Sequence, residues 1–590
     1  MIYDRISGIA LGDPETKITD GSSTDESLQK TLSSFILSAS GWRCVVTASG
    51  DEEDSCEDVN EDMLLFAAAS ALSFFRYLNL EKPRILLGRD ARPTGRLLAE
   101  SIRRALLSLG ASVYDIAISS APEIMAFSHK FDGFFYISAS HNPVGHNGFK
   151  FGTEGGVLPK EECDKAIQIL KETINRNGSS QYLRSLIDNA DSAMNAECIM
   201  VHDRIKRKAL DYYASFVMKT AAVKKDFTLP FGVVIDFNGS ARSVSIDIPF
   251  LRSKGAKLWV LNSIPGQIEH AIVPEGKNLE RARKALEEIH RKDSSFILGY
   301  TPDNDGDRGN FVYIKKNGKA EIMSAQTVFA LVSLIEAAYD KMNGRKNIAL
   351  AVNGPTSLLV DDIAARLGVS VFRGDIGEAN VVEAARRKRE EGYCCRVCGE
   401  GSNGGNITYP AKVRDPMNSL MTFAKLFSSE GLYSFIMKAL GKKEGKEISL
   451  CSVIEALPPY MTTSAFSSDA VMKIKSTDYN RLREEYEGIV ANEADSNLPA
   501  GTVRWEERQY EGSDETIGMG KTFRTPESTG GVKIQFYDEN GPAGYLWLSK
   551  SRTEPVIRTM VDIKGSNKEL HDKLLEWQHS MVERADRASL

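Results

Sequence analysis

The sequence predicts a multidomain α/β protein, and three of its features favour that fold class. Its 590 residues exceed the roughly 250–300 residues that one hydrophobic core supports, so three or four domains are expected. Short apolar strands alternate with polar loops and helical patterns, which is typical of βαβ units with parallel or mixed sheets. After residue 450 this alternation gives way to an α+β pattern.

The alternation forms three similar blocks, each with an apolar strand followed by a polar loop. The strands lie at 84–90, 231–235 and 347–352, and helical patterns follow the first and third of them at 94–108 and 358–367. In the first helix the apolar residues recur at helical spacing. We therefore predict three α/β domains with mixed sheets.

The end of the chain predicts a C-terminal α+β domain. Beyond Pro458-Pro459, a helical stretch at 478–490 precedes strands at 531–537 and 545–548. The residues between these strands, Asp538-Glu539-Asn540-Gly541, are typical of a hairpin turn.

Four domains are therefore predicted, with boundaries near residues 195, 320 and 450. Residues 1–30 and 505–530 are rich in Ser, Thr, Gly, Asp and Glu, so we expect extensions or long loops there. The predicted domains are 1–195, 196–320, 321–450 and 451–590.

The composition argues against several classes of protein. Lys and Arg total 74 against 80 Asp and Glu, a net charge of −6, which does not favour a dedicated nucleic-acid-binding protein. The longest apolar run, 63–75, is shorter than the ~20 residues that cross a bilayer and predicts a buried helix. The N-terminus lacks the pattern of a signal peptide. We expect a cytoplasmic protein with neither nucleic-acid nor membrane partners.

The cysteines fit the same compartment. Eight cysteines are too few for a disulfide scaffold in a chain of this length. Cys395 and Cys398 form a CxxC pattern, but no second CxxC exists that could complete a zinc site. Reduced cysteines on a buried strand are the favoured interpretation.

A loop rich in reactive side chains follows the apolar run 134–137. It reads Ser138-Ala-Ser140-His141-Asn142-Pro143 and leads to Lys150. A strand end that presents Ser, His and Lys is a natural place for a nucleophile. His141 could orient the serine, and Lys150 could neutralise a phosphate or move a proton. A polar turn without function is the alternative, since Ser and Asn favour turns in any case.

Three aspartates follow another apolar strand at 296–298. Asp303, Asp305 and Asp307 alternate along the chain, so their side chains converge if the segment is extended. Oxygen ligands of this kind suit Mg²⁺. An EF-hand is excluded, because position six is Arg308 in place of Gly and position twelve is Ile314 in place of Glu. An acidic surface turn is the alternative.

Two further loops could bind a phosphorylated sugar. Glu400 and Ser402 lie in the glycine-rich segment 399–405, where they could accept or donate hydrogen bonds to hydroxyl groups. The segment 549–558 combines hydroxyls with two arginines, which suits a phosphate. Ordinary hairpin turns are the alternative for both. A P-loop near Gly520 is excluded, because its first glycine would have to stand at Glu515.

In this order the four loops resemble those of the α-D-phosphohexomutase superfamily, which includes phosphoglucomutases and phosphomannomutases. The Ser-His-Asn-Pro loop and the three-aspartate loop are the specific matches, and the resemblance covers nearly the whole chain. Shorter matches are Ser40-Gly41-Trp42-Arg43, Gly88-Arg89-Asp90 and Gly377-Glu378-Ala379-Asn380.

The resemblance implies a fold and an activity. The fold would be three mixed-sheet α/β/α domains of similar topology plus the α+β domain, arranged around a central cleft to which each domain contributes one loop. The activity would be interconversion of hexose 1-phosphate and hexose 6-phosphate, of glucose or mannose, through a hexose 1,6-bisphosphate that also serves as activator. The partners would be small hexose phosphates, and the protein a monomer or homodimer.

The resemblance also implies roles for individual residues. Ser140 would carry the phosphoryl group and, with Asp303, Asp305 and Asp307, hold one Mg²⁺ per chain. The other implied residues surround the transfer site (Arg43, His141, Lys150, Arg308) or bind the substrate (Gly377, Glu400, Ser402, Ser551, Arg552, Thr553, Arg558).

Four positions depart from the family pattern. Asn304 stands where Gly is usual, Ser549 where Arg is usual and Arg552 where Gly or Asn is usual, and Gly404 replaces a His of some members. These departures leave the preferred sugar open among glucose, mannose and their amino derivatives. A metal-dependent phosphatase or phosphodiesterase and a non-catalytic sugar-phosphate-binding paralogue are the competing hypotheses.

Overall fold

The computed structural model describes residues 1–5, 7–443, 447–526, 528–551 and 556–590. They form two compact units, Met1–Ile322 with Ala411–Asn418 and Met323–Pro410 with Ser419–Leu590. Within the described residues, no helix combines the length and the apolar composition that a membrane span requires.

The first unit contains the following strands and helices. Its strands are β1 (Ile2–Tyr3), β2 (Ala10–Gly12), β3 (Ile36–Ser38), β4 (Gly41–Val45), β5 (Arg84–Arg89), β6 (Ser112–Ile118), β7 (Gly133–Ile137), β8 (His146–Thr153), β9 (Gly156–Val157), β10 (Gly232–Asp236), β11 (Lys257–Leu261), β12 (Phe296–Pro302), β13 (Gly309–Ile314) and β14 (Ala320–Ile322). Its helices are α1 (Asp25–Ser34), α2 (Glu61–Leu78), α3 (Gly95–Ser108), α4 (Ala121–Ser128), α5 (Lys160–Ile174), α6 (Ser179–Asp188), α7 (Ser192–Met200), α8 (His202–Ala221), α9 (Asp247–Ser253) and α10 (Glu280–Lys292).

The second unit continues the chain. Its strands are β15 (Ile348–Asn353), β16 (Ser370–Gly374), β17 (Cys394–Glu400), β18 (Gly405–Thr408), β19 (Tyr460–Thr462), β20 (Val471–Lys473), β21 (Arg504–Glu511), β22 (Asp514–Ile517), β23 (Val532–Asp538), β24 (Gly541–Lys550) and β25 (Val556–Lys564). The remaining helices are α11 (Ala325–Met342), α12 (Leu359–Leu367), α13 (Glu378–Glu390), α14 (Pro416–Phe427, which begins in the segment Ala411–Asn418), α15 (Glu430–Ala439), α16 (Leu450–Ala456), α17 (Tyr479–Asn497) and α18 (Lys568–Ala588).

Three sheets share one topology. Their orders are β3-β4-β8-β7-β5-β6, β11-β10-β12-β13-β14 and β16-β15-β17-β18. In each sheet a central strand (β5, β10 or β15) has a parallel neighbour on both sides. One of these neighbours (β7, β12 or β17) then pairs antiparallel with the next strand of the chain. The predicted mixed-sheet α/β class is confirmed.

The first of these sheets lies between two layers of helices. Side chains alternate across it, so that Leu87 and Phe135 pack with α2 and α3 on one face. Leu86 and Phe134 pack with α4 and α8 on the other face. This alternation is the period of two that a strand imposes on its side chains.

The fourth sheet is antiparallel, in the order β19-β25-β24-β23-β21-β22. Its apolar face packs against α17 and α18. The predicted hairpin is present, with β23 and β24 joined at Glu539 and Asn540. The predicted α+β character of this part of the chain is therefore confirmed.

Two predictions about loops are only partly right: residues 13–24 contain neither helix nor strand, but ordered elements flank them and also occupy most of 505–517. Residues 1–30 contain β1, β2 and the start of α1, whose Leu28 is buried in the core beside α2. Residues 505–530 contain most of β21 and all of β22. Composition misled here, because the buried polar residues of β21, such as Glu507 and Gln509, face partners on α17 and not solvent. The three domain boundaries stay predictions.

The predicted buried helix and the predicted buried cysteine strand are both present. The apolar run 63–75 lies in α2, which is buried along most of its length. Cys395 and Cys398 are buried, unbridged residues of β17.

Candidate active site

Ser140 lies in the loop between β7 and β8, which we call the Ser140 loop (residues 138–145). Its side chain is almost completely buried, and its backbone is left-handed, with φ +55°. The Ser140 amide donates to Oγ of Ser138 over 2.8 Å, and its own Oγ donates to Oδ2 of Asp303 over 3.1 Å. The predicted nucleophile therefore touches the predicted metal loop directly.

Asp303, Asp305 and Asp307 form a buried cluster between β12 and β13. One carboxylate oxygen of each lies within 4.8 Å of the other two. Gly306, with φ +71°, turns the chain between them, where a Cβ would collide with Arg242. Gly306 and Arg308 donate their amides to Oδ1 of Asp303. The sequence predicted that residues 303–307 are extended, with the aspartates on one side. The segment is instead a tight turn, and the three carboxylates still converge.

The cluster fits a divalent cation. Among the described residues, Oδ1 of Asp305 and Oδ1 of Asp307 have no hydrogen-bond partner although both are buried. Burial, together with the charges of Asp305 and Asp307, raises the pKa of Asp303 well above its ordinary value. Unsatisfied oxygens and mutual repulsion are both relieved by a hard cation such as Mg²⁺.

Two cations contact the cluster from outside the loop. Nζ of Lys150 lies 2.6 Å from Oδ2 of Asp305, and Nη2 of Arg414 lies 2.7 Å from Oδ2 of Asp307. Burial opposes ionisation of Asp307, but Arg414 and Lys150 outweigh burial and lower its pKa below the ordinary value. Asp307 is therefore ionised at neutral pH.

The other predicted residues of the transfer site lie around this cluster. Burial lowers the pKa of Arg43, while the negative charge of Asp305 opposes that shift. His141 has a pKa well below its ordinary value, first because of the positive charge of Arg308 and then because of burial and Arg43. At neutral pH the His141 ring is therefore uncharged. Lys150 pairs with Asp305, and Arg308 donates its amide to Asp303. The charges of Asp305 and Asp307 act on Arg43 and that of Asp307 on His141, so all four predicted residues lie near the aspartate cluster.

Three contributors to this site escaped the sequence analysis. Ser138 donates to Oδ2 of Asp305, and Arg92 donates to backbone carbonyls of the Ser140 loop. Arg92 stands two residues after Asp90, the last residue of the Gly88-Arg89-Asp90 match, so its closeness to that match was a sequence signal for it. Arg414 offered none, because it is 107 positions from its partner Asp307.

The predicted sugar loop, residues 399–405, lies in the second unit at the junction of β17 and β18. Glu400 is buried, and its Oε1 accepts from Nδ2 of Asn353 at 3.0 Å and from the amide of Gly377 at 2.9 Å. Oε2 accepts from Nδ2 of Asn403 at 2.8 Å. Nδ2 of Asn353 also lies 3.4 Å from Oγ of Ser402. Gly377, Glu400 and Ser402 are thus brought together at the ends of β15 and β17.

The predicted phosphate loop follows β24. Ser549 faces Arg558 across the β24–β25 pair, and Oγ of Ser549 accepts from the Trp547 indole at 3.1 Å. Nη1 of Arg558 donates to the carbonyl of Ala465 at 3.2 Å, and Ser551 donates its amide to Val556. Arg552 and Thr553 lie outside the described residues.

Two models of one protein family match parts of this chain. The model of phosphoglucomutase/phosphomannomutase α/β/α domain I matches residues 39–177, and the domain III model of the same family matches residues 329–440. The two matches include the Ser140 loop and the sugar loop.

Two related proteins are similar in sequence to more than four fifths of this chain. A phosphoglucomutase/phosphomannomutase of Thermococcus kodakarensis is 27% identical over 504 residues, which cover 84% of this chain and 90% of that protein. A phosphoglucosamine/phosphogalactosamine mutase of Sulfurisphaera tokodaii is 23% identical over 488 residues, 82% of this chain and 88% of the other.

A solved structure supports the fold. The open form of the exocytosis-sensitive phosphoprotein pp63/parafusin, a phosphoglucomutase from Paramecium, matches with a TM-score of 0.57 at 15% identity. The match covers 92% of this chain and 96% of that one. The chain belongs to the α-D-phosphohexomutase superfamily of intramolecular phosphotransferases.

Proposed function

We propose that this enzyme interconverts hexose 1-phosphate and hexose 6-phosphate, of glucose or mannose, through a phosphoserine at Ser140. The observation that carries the proposal is the 3.1 Å contact between Oγ of Ser140 and the carboxylate of Asp303. A nucleophile so close to a cation-binding cluster suits phosphoryl transfer, which depends on positioning and on neutralising charge.

The cation is proposed to be one Mg²⁺ per chain, held by Asp303, Asp305, Asp307 and phosphorylated Ser140. When bound, it would neutralise negative charge on the phosphoryl oxygens. Lys150 pairs with Asp305, and Arg414 pairs with Asp307 and helps to keep that carboxylate ionised as a ligand. Arg43 and Arg308 add positive charge on the side of His141.

In the proposed reaction the phosphoserine transfers its phosphoryl group to the free hydroxyl of a sugar monophosphate. The P–Oγ bond of Ser140 breaks, a P–O bond to the sugar forms, and the proton of the sugar hydroxyl ends on Oγ of Ser140. The resulting hexose 1,6-bisphosphate turns over and returns its other phosphate to Ser140, which regenerates the enzyme. Burial of Ser140 supports this cycle, because exclusion of water protects the phosphoserine from hydrolysis.

Residues outside the transfer site would hold the sugar in both orientations. We assign hydroxyl recognition to Gly377, Glu400 and Ser402. Nδ2 of Asn353 and the amide of Gly377 both donate to Oε1 of Glu400, which orients its carboxylate. We assign the non-transferred phosphate to Ser551, Arg552, Thr553 and Arg558. The relatives named as amino-sugar mutases make glucosamine phosphate a further substrate to test.

The test is the Ser140→Ala variant, assayed with glucose 1-phosphate, mannose 1-phosphate and glucosamine 1-phosphate in the presence of Mg²⁺. We expect the purified protein to lose a phosphoryl adduct visible by intact mass, and turnover to fall by at least about 10³-fold. Ser101→Ala is the matched control, because Ser101 is a buried serine of α3 that donates to the carbonyl of Leu64 in α2, away from the site.

The other outcomes separate the competing hypotheses. Near-normal turnover in Ser140→Ala excludes the proposed scheme. Release of inorganic phosphate faster than isomerisation indicates a phosphatase, and absence of both adduct and turnover in the unmodified protein indicates a non-catalytic paralogue.

A further inference from the structure

Arg92 is a fully buried arginine beneath the Ser140 loop. Its Nη2 donates to the carbonyls of Ser140 at 2.8 Å and Asn142 at 2.6 Å, and its Nη1 donates to the carbonyl of Pro143. A single guanidinium therefore donates hydrogen bonds to three carbonyl oxygens within four consecutive residues of the loop.

The rest of Arg92 is fixed to the sheet. Its Nε donates to Oδ2 of Asp90 at 3.2 Å, and its amide donates to Oδ1 of the same carboxylate at 2.9 Å. Asp90 directly follows β5, and its own amide donates to the carbonyl of Ile137 at the end of β7. The guanidinium is thus tied to the two parallel strands from which the loop emerges.

The loop needs such a support. Ser140 has φ +55°, a conformation that the Cβ of a non-glycine residue disfavours, so its surroundings must hold it there. This conformation accompanies the contact of the hydroxyl with Asp303. The carbonyl dipoles of residues 140, 142 and 143 converge on one point, which is unfavourable unless a cation lies there.

We infer that Arg92 is a positioning residue, which holds the Ser140 loop in the left-handed conformation that aims the hydroxyl at Asp303. This inference rests on the proposed function for its catalytic consequence. Arg92 acts on the loop through backbone carbonyls, and its recorded partners include neither the hydroxyl of Ser140 nor Asp303, Asp305 or Asp307.

The variant Arg92→Lys tests the inference, because lysine keeps the positive charge beside Asp90 but lacks the planar fork that reaches several acceptors. We expect kcat to fall about 100-fold with KM within about threefold of the unmodified protein, as expected when a reacting group is misplaced. Phosphorylation of Ser140 by glucose 1,6-bisphosphate, followed by intact mass, should slow in parallel.

Amide hydrogen exchange gives a readout that does not need activity. In Arg92→Lys the amides of residues 138–145 should exchange at least about tenfold faster. Arg103→Lys is the matched control, since Arg103 is equally buried but pairs with Glu100 and Asp115 away from the loop. It should lose stability without changing kcat or exchange in the loop.

Unchanged kcat or unchanged loop exchange in a folded Arg92→Lys protein would overturn the inference. If Arg92→Lys does not fold, the double variant Asp90→Asn/Arg92→Leu, which removes both buried charges, is judged by the same two criteria. If the unmodified protein turns over none of the three sugar phosphates, the proposed function fails, while the exchange comparison still decides whether Arg92 holds the loop.

Discussion

Among the described residues, two of the three clustered aspartates pair with a basic side chain, and the third does not. Lys150 pairs with Asp305 and Arg414 with Asp307, whereas Asp303 accepts from two backbone amides and from the Ser140 hydroxyl. The carboxylate without a cationic contact is the one whose pKa rises. It is also the one beside the nucleophile, so a bound cation supplies charge where the site lacks it.

Glu507 on β21 presents a different buried carboxyl group. It is 2% exposed, and no hydrogen-bond partner for either oxygen exists among the described residues. Burial, and then the charge of Glu487, raise its pKa to about 8. The folded protein therefore binds a proton more tightly here than the unfolded chain does, so this group's contribution to stability is full below about pH 4.5 and is lost as pH rises towards 8.

We expect Glu507→Gln to flatten the pH dependence of unfolding. The free energy of unfolding of the variant, relative to the unmodified protein, should rise by more than about 1 kcal/mol between pH 5 and 8, because the amide cannot ionise. Urea denaturation across this range measures it. Glu539→Gln, in the exposed turn between β23 and β24, is the control and should show no such trend. A constant difference across the range would show that Glu507 ionises normally.

At the scale of elements, the functional loops occupy one topological position. The Ser140 loop, the aspartate cluster and the sugar loop each join a parallel strand to its antiparallel neighbour, at β7–β8, β12–β13 and β17–β18. Each begins at the carboxyl end of a strand that lies beside the central strand of its sheet. Buried strands hold the loop ends rigidly, so the loop sequence can serve chemistry.

The side chain of Asp25 links the N-terminal helix α1 to the start of α6. Oδ1 of Asp25 accepts from the amide and hydroxyl of Ser180, and Oδ2 accepts from the amide of Gly178, at the start of α6. These bonds, above all the Ser180 hydroxyl, lower the pKa of Asp25 to about 2. Its stabilising effect is therefore present above about pH 4 and is lost as pH falls towards 2.

We expect Asp25→Ala to lower the free energy of unfolding by about 1–2 kcal/mol at pH 7, the usual cost of removing a helix cap. The effect should shrink below pH 4. Urea denaturation at pH 7 and pH 3 measures both values. Glu26→Ala, at the exposed neighbouring position of α1, is the control. Equal stability of Asp25→Ala and Glu26→Ala at pH 7 would contradict this role.

At the scale of the whole molecule, each compact unit has hydrophobic cores of its own. The core beside α2 and α3 lies in the first unit, and the core beside α17 and α18 lies in the second. Proteins with several cores often unfold in more than one step. The aspartate cluster belongs to the first unit, so Mg²⁺ should stabilise that unit selectively.

We expect calorimetry to resolve two transitions, of which Mg²⁺ raises one. At about 100 times its dissociation constant, Mg²⁺ should add about 2.7 kcal/mol to the unit that binds it. Leu87→Ala, in the core of the first unit, identifies that transition by lowering it. Asp305→Asn should abolish the Mg²⁺ effect, and exposed Asp226→Asn should not. A Mg²⁺ shift that persists in Asp305→Asn would place the cation elsewhere.

Much of this architecture was predictable from local patterns. The apolar strands before Ser140, Asp303 and Glu400 are present, as are helix α2 and the β23–β24 hairpin. At 1–30 and 505–530 the predicted loops are present only in part, because a polar composition there also accompanies strands and the start of a helix. In β21 the polar residues are buried because α17 supplies Arg483 to Gln509, a pairing that no local window contains. The central cleft, the oligomeric state and the cytoplasmic location stay predictions.

By itself, the sequence determined the fold class, the family and which residue types stand at the ends of the strands, because periodicity and residue type are properties of short segments. Only the tertiary structure decided that Arg92 supports the Ser140 loop and that Arg414 pairs with Asp307. Such partners are chosen by distance in space, which depends on how strands pair and helices pack across hundreds of residues.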